Sequence, residues 1–378
     1  MQVTSPPPGA PDVWDALSLL SEVADDLVVG TVRDTHVAWL DRAGGGALHR
    51  GVAGAVYGGL GLGLRAASRG LAAVAGTGPR LEARREGRFA VAAVNGLIGD
   101  HLAQERPRLA VPMAVRHGGC DVDVEPAALA ASFPDARGRL VVFLHGLCED
   151  EEYWGRGRER LGTTYGEMVA GLGWTPVFLR ANTGLGLREN GAALSSLLQR
   201  LVGAWPVPVT RVALVGHSLG GLVLRAAGAV AHAATEPWTS LVSDVVTLGT
   251  PHLGAPLATG VGHGSRGLGR LPETAAFGRI LDRRSRGVHD LVAGLAEDVP
   301  PLPHARYRLV VATLSRSARH PVGHLLGDLL VRPASAVGRD RHGRELFPGA
   351  HVLHVGGTGH LGLLNHRDVH VALRDWLG

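Results

Sequence analysis

The chain of 378 residues contains no lysine, so all 38 of its basic side chains are arginine. That absence excludes a Schiff-base lysine and the phosphate-binding lysine of a P-loop. Cysteine is almost as scarce: Cys120 and Cys148 are the only two, too few for a disulfide framework. Aromatic residues make up 4% of the chain, and the arginines are spread rather than clustered. The formal net charge of +4 therefore reads as a GC-rich coding bias toward Arg, Ala and Gly, not as a surface for nucleic acid, and no nucleic-acid partner is expected. Long apolar runs are also lacking. Gly51–Leu64 is apolar but bracketed by Arg50 and Arg65, and it falls short of the ~20 residues of a spanning helix. Met1–Asp12 has no basic n-region ahead of an apolar stretch, so no secretory leader is expected. The expectation is a cytoplasmic protein, with peripheral membrane contact left open.

Hydrophobic residues make up 45% of the chain and charged ones 19%, a composition that can build a large core. Residues 1–106 read as an N-terminal helical extension. Apolar positions recur at helical spacing in Val13–Val28, Gly51–Ala75 and Arg88–Gln104. Residues 107–378 alternate differently. Short apolar runs at Leu109–Arg116, Cys120–Val124, Arg139–Leu144, Thr175–Arg180, Arg211–Val215, Asp244–Leu248, Tyr307–Leu314 and His351–Val355 are separated by helical or glycine-rich stretches. Helices are expected at Gly191–Trp205, at Gly221–His232 and at the C-terminus. Near-continuous apolar strands alternating with helices predict an α/β fold, a mostly parallel sheet with helices on both faces. A cap or lid is expected over about residues 257–303, with some helix at Glu273–Arg284.

Gly216-His217-Ser218-Leu219-Gly220 fits G-x-S-x-G. A strand enters it and a helix leaves it, which is the context that makes the pattern specific. Small flanking residues suit a turn sharp enough to lift a serine hydroxyl out of the sheet edge. A second signal, His145-Gly146-Leu147, follows an earlier strand by one step. An oxyanion hole needs two backbone N–H groups aimed where negative charge develops. Leu219 and Leu147 are the candidates. Serine also needs a base, and the base a carboxylate, in the chain order Ser, acid, His. His360, in the glycine-rich turn after the last strand, is the candidate base, ahead of His351, His354 and His366. Asp328 is the candidate acid. Asp340 stands in a charged loop, and Asp282, Asp290 and Asp298 fall in the expected cap. His145 reads as structural, Cys148 as a packing residue and Glu149–Glu152 as a solvated loop that could repel anionic substrates.

The order of these motifs resembles the lipase-like esterases of the α/β-hydrolase superfamily. It shares features with bacterial triacylglycerol lipases and with the hydrolase domain of GPI inositol-deacylases. The matching pieces are His145-Gly146-Leu147, Asn182-Thr183-Gly184 with Asn190-Gly191, the elbow, the block Gly249-Thr250-Pro251-His252-Leu253-Gly254-Ala255-Pro256, Gly327-Asp328, and Gly359-His360-Leu361. The resemblance covers about Leu109 to Gly378. It implies the α/β-hydrolase fold and cleavage of carboxylic esters, and the apolar composition of the expected cap suggests a hydrophobic, lipid-like small molecule as substrate. In such lipases the Gly-Thr-Pro-His block lines the site mouth, which makes His252 and Leu253, with His217, candidate substrate contacts. Where lipases carry Asp-Gly-x-Val, this chain has Asp328-Leu329-Leu330-Val331. No cofactor is required, and no calcium-type carboxylate pair stands near His360, so no metal is expected. Acyl transfer to another acceptor, thioester cleavage and a catalytically inactive lipid-binding scaffold are the other readings of the same motifs.

Overall fold

The computed structural model describes residues 11–23, 47–230, 234–255, 285–295, 299–317, 327–328 and 330–378. The expected helix at Glu273–Arg284 and most of the expected cap lie outside the described residues. So do the last five positions of the expected Val13–Val28 helix.

The chain divides into two compact units. The first comprises residues 1–91, 101–110 and 258–284. Its described part is helical: α1 (Val13–Val23) and α2 (Ala47–Ala73). The Ser18 hydroxyl donates to the Ser68 carbonyl at 2.8 Å, and Arg106 reaches both serines. Asp12 accepts the N–H group of Asp15 at 3.0 Å and those of Gly76 and Gly78 at 2.7 Å each, and against its burial these bonds help hold its carboxyl below the usual range.

The second unit comprises residues 92–100, 111–257 and 285–378. An eight-stranded sheet runs through it in the order β2-β1-β4-β3-β5-β6-β7-β8. The strands are β1 (Ala114–His117), β2 (Cys120–Val122), β3 (Arg139–Leu144), β4 (Thr175–Arg180), β5 (Arg211–His217), β6 (Val242–Leu248), β7 (Arg306–Thr313) and β8 (His351–Gly356). The short β1 is antiparallel to both of its neighbours, and β4 through β8 with β3 are parallel. Alternation along β3 shows why its sequence is apolar throughout. Leu140, Val142 and Leu144 join one core with Val212 and Leu214, while Val141 and Phe143 join the other with Ala213 and Val215. The first core is closed by α4 (Leu187–Ala204), through Leu194, Leu198 and Leu201, and by α5 (Leu219–Gly228). The second is closed by α3 (Tyr165–Gly171) and by α6 (Arg367–Leu377), through Val369, Leu373 and Leu377. Each such Leu or Val, fully buried, stabilises the fold by about 1.5–3 kcal/mol.

The expected strand Leu109–Arg116 begins only at Ala114. Leu109 is caught in a turn by the Arg106 carbonyl at 2.8 Å, and Pro112 has no N–H to give to a ladder. The expected helix Arg88–Gln104 runs from Arg85 to Glu105, with non-helical dihedrals at Ile98. Neighbouring groups enter its hydrogen-bond ladder there. Ser285 takes the carbonyls of Gly96 and Leu97 through its hydroxyl and its N–H, and the Asn182 amide takes that of Gly99 at 2.9 Å. Side chains inserted into an i→i−4 ladder are a standard cause of a kink.

Candidate active site

The strand β5 ends at His217, and Ser218 follows with φ 52° and ψ −123° before α5 begins at Leu219. Positive φ is rare for a side chain other than Asn, Asp or Gly, so this residue is held under strain by what surrounds it. Its N–H is committed to the Leu248 carbonyl at 2.9 Å. Two flanking glycines are required by close approach. A Cβ on Gly216 would lie 2.6 Å from the Gly221 nitrogen, and one on Gly220 would lie 2.4 Å from the carbonyl oxygens of Leu144 and His145.

The loop after β3 passes directly over the elbow. A Cβ on Gly146 would stand 3.0 Å from the Ser218 Cβ. Gly146 donates to Glu149 Oε2 at 2.8 Å, Cys148 to Thr183 Oγ1 at 3.2 Å, and Glu149 to the Gly146 carbonyl at 3.3 Å. The Leu147 N–H has no partner among the described residues. Leu219, as the first residue of α5, has an N–H that helix geometry leaves without an intrahelical acceptor. His145 is 1% exposed; its Nε2 accepts the Ala181 N–H at 3.1 Å, which puts its proton on Nδ1 facing the Gly146 carbonyl.

His360 opens a 3-10 turn, His360–Leu363, four residues beyond β8. Its Nδ1 lies 2.7 Å from Asp328 Oδ2, and its backbone N–H donates to the Asp328 carbonyl at 3.2 Å. The other carboxylate oxygen, Oδ1, accepts the N–H groups of Leu330 at 3.0 Å and Val331 at 2.8 Å. Both residues are buried, and His360 Nε2 has no hydrogen-bond partner among the described residues, Ser218 included. The loop that carries His360 is pinned by Asn365, which accepts the Tyr165 N–H at 2.7 Å and donates to the Trp154 and Arg156 carbonyls.

The competing carboxylates have other occupations. Asp340 caps its own turn through the N–H groups of His342 and Arg344, and Asp290 accepts the Leu187 N–H at 2.8 Å at the start of α4. Asp282 and Asp298 lie outside the described residues. Of the candidate substrate contacts, His217 and His252 are each 0% exposed. His252 rests its ring against Phe347 and its Nε2 on Thr247, and burial, followed by the charge of Arg225, drops its pKa well below the usual histidine value. Leu253 is half-buried, with its N–H on the Ser335 hydroxyl at 3.1 Å.

The acidic loop is not the solvated stretch that its composition predicts. Glu149 and Asp150 are 6% and 5% exposed, and Glu151 pairs with the buried Arg116 at 2.7 Å. Glu149 lies 2.9 Å from His217 Nδ1. Burial alone would raise the Glu149 carboxyl, but His217 and the Gly146 N–H outweigh it and leave it below the ordinary carboxylate range. Burial alone would lower His217, and Glu149 reverses that too, leaving it above the ordinary histidine value. Cys148 is pushed up to about 11 by burial and by Glu149, so it stays a thiol at neutral pH. The Glu149–His217 pair escapes a reading by local spacing because its members stand 68 positions apart.

The sheet order and the strand–elbow–helix turn are those of the α/β-hydrolase fold. Residues 180–265 match the family described as the PGAP1-like alpha/beta domain. No curated protein matches the chain. Among solved structures, the mature form of the Bacillus licheniformis lipase BlEst2 is 20% identical, with 63% of this chain and 91% of that one covered at a TM-score of 0.44. EstA from Clostridium botulinum is 13% identical, with 64% and 87% covered and a TM-score of 0.43. A Pyrococcus furiosus esterase is 15% identical, with 64% and 83% covered and a TM-score of 0.37.

Proposed function

We propose that the chain is a serine hydrolase that cleaves carboxylic esters with hydrophobic, lipid-like acyl groups. The observation that carries this reading is a buried imidazole held at Nδ1 by Asp328 with Nε2 left open, in the same unit as a strained serine at a strand-to-helix elbow. A hydrogen bond from Nδ1–H to a carboxylate fixes the tautomer whose Nε2 lone pair can accept a proton.

In this scheme Ser218 Oγ attacks the ester carbonyl while its proton passes to His360 Nε2. The oxyanion is held by the Leu147 and Leu219 N–H groups, both without a protein acceptor among the described residues. The tetrahedral species collapses, His360 gives its proton to the leaving alkoxide, and the alcohol departs. Water then adds to the acyl-enzyme, losing its proton to the same Nε2, and the acid leaves with Ser218 restored. Asp328 holds the imidazole by Nδ1 and stabilises the imidazolium. Catalysis calls on no cofactor. The proposal extends to peripheral membrane contact, for which Val56, Leu60 and Leu62 stand exposed on α2.

The test is hydrolysis of p-nitrophenyl esters from acetyl to palmitoyl by the wild type and Ser218→Ala, with fluorophosphonate labelling alongside. Turnover and labelling that vanish in the variant support the serine esterase, and the chain-length profile tests the hydrophobic acyl preference. Labelling without turnover would retain the nucleophile and discard the substrate class. Absence of both would refute the catalytic reading.

A further inference from the structure

A carboxylate buried beside an elbow, and unused by the proton transfers above, calls for a role. Glu149 Oε2 receives two donors from different elements: the Gly146 N–H at 2.8 Å and His217 Nδ1 at 2.9 Å. The first belongs to the loop after β3, and the second to the residue immediately before Ser218. Glu149 also donates its own N–H to the Gly146 carbonyl at 3.3 Å, and His145 Nδ1 lies 2.9 Å from that same carbonyl. The Gly146 C=O and the Leu147 N–H share one planar trans peptide and point in opposite directions. Turning the carbonyl toward Glu149 and His145 therefore turns the Leu147 N–H out of the loop's own bonding, and no described residue accepts it.

We propose that Glu149 and His217 form a clamp that fixes the Leu147 peptide as an oxyanion donor over Ser218, making Glu149 a positioning residue for the transition state. This rests on the serine-hydrolase reading above. The clamp sits next to the base: the His217 and His360 rings are 4.8 Å apart. The titratable groups facing it are His145, Cys148 and Tyr153 from the loop and its 3-10 turn, and Asp328 and His360 from beyond β7 and β8. Replacing Glu149 by glutamine removes the negative charge that faces His217 Nδ1 at 2.9 Å.

The experiment compares wild type, Glu149→Gln, Glu149→Ala, His217→Gln and the double variant Glu149→Gln/His217→Gln. The readouts are kcat and KM on p-nitrophenyl butyrate, the rate of fluorophosphonate labelling and the melting temperature. Expected is a fall in kcat of about tenfold for Glu149→Gln and about a hundredfold for Glu149→Ala, with KM within about twofold, because a donor misplaced by about an ångström weakens the transition state and not the ground state. Labelling slows in parallel, since the phosphonyl oxygen uses the same donors. The double variant falls no further than the worse single one, as two halves of one clamp should. If the alanine variant does not fold, Glu149→Gln keeps the side-chain length and an acceptor oxygen and carries the test. The inference is overturned if wild type labels at Ser218 and Glu149→Gln matches it in kcat, if KM rises while kcat holds, or if the two single losses multiply. A wild type that neither labels nor turns over would overturn the hydrolase reading and this inference together.

Discussion

Replacing Asp328 by asparagine changes one atom, and the surrounding bonds decide what that atom does. The carboxylate divides its labour: Oδ2 faces His360 Nδ1 at 2.7 Å, and Oδ1 accepts the N–H groups of Leu330 and Val331. An asparagine has two orientations. With its oxygen toward His360, its NH2 would face two backbone donors and leave them unsatisfied, at about 1–3 kcal/mol each. With its oxygen on the two N–H groups, both bonds survive and the NH2 faces Nδ1. The second arrangement wins by at least about 1 kcal/mol even after the weaker bond to Nδ1 is counted. There the amide donates to Nδ1, which must become the acceptor, so the proton moves to Nε2. The base then carries a proton where it needs a lone pair. A loss of about 10⁴-fold in kcat is expected, with KM near the wild-type value and no loss of fold. Steady-state kinetics on the best p-nitrophenyl ester, with circular dichroism to show the fold intact, is the assay. A loss below about tenfold would mean that Asp328 does not set the imidazole tautomer, and the triad would need another acid.

Cys148, with its thiol pushed up to about 11 from an ordinary 9.0, should alkylate with iodoacetamide at pH 8 about a hundredfold more slowly than an ordinary thiol, while the exposed Cys120 labels readily. Peptide mass mapping reads both sites, and equal rates would contradict the burial of Cys148. Glu149, lowered on folding, stabilises the fold above its ordinary 4.5 and ceases to do so as pH falls through its folded value. His217, raised on folding, stabilises it below its ordinary 6.5 and ceases to do so as pH rises through its folded value. The melting-temperature gap between wild type and Glu149→Gln should therefore be widest between about pH 4.5 and 6.5 and narrow toward alkaline pH; a gap independent of pH would argue against an ion pair. Finally, Gly220→Ala must push α5 away from β3, since its Cβ meets two backbone oxygens at 2.4 Å. Urea unfolding should register a cost of about 1–3 kcal/mol, and an unchanged midpoint would show slack that the packing does not suggest.

The strands of the second unit were legible because burial on both faces writes itself as a short continuous apolar run. Arg139–Leu144 and Thr175–Arg180 are bounded as their composition implies. Strand ends set by neighbours were less so. The stretch before Ala114 is apolar enough to be a strand, yet a turn at Leu109 and a proline prevent it. Short helices with weak periodicity left only cap signals, such as Thr164 and Glu167, whose reciprocal capping box opens the helix at Tyr165. In the candidate site, Ser218 carries a glycine-bracketed turn, His360 a glycine-rich turn just beyond the last strand, and Asp328 a place between the last two strands that fits the chain order Ser, acid, His. Glu149 carries none. A run of four acidic residues looks like a solvated loop until a histidine from another strand is brought beneath it, and that contact exists only in three dimensions.

The backbone of Ser218, at φ 52° and ψ −123°, sets two pressures on this position against each other. The conformation costs a side-chain-bearing residue about 1–3 kcal/mol, and glycine would adopt it almost freely. A search for thermal stability alone, blind to activity, would drift toward glycine at 218 and would gain by doing so. The residue that the proposed chemistry cannot lose is thus among the easiest for the fold to give up, and engineering for heat tolerance has to hold position 218 fixed while it looks elsewhere.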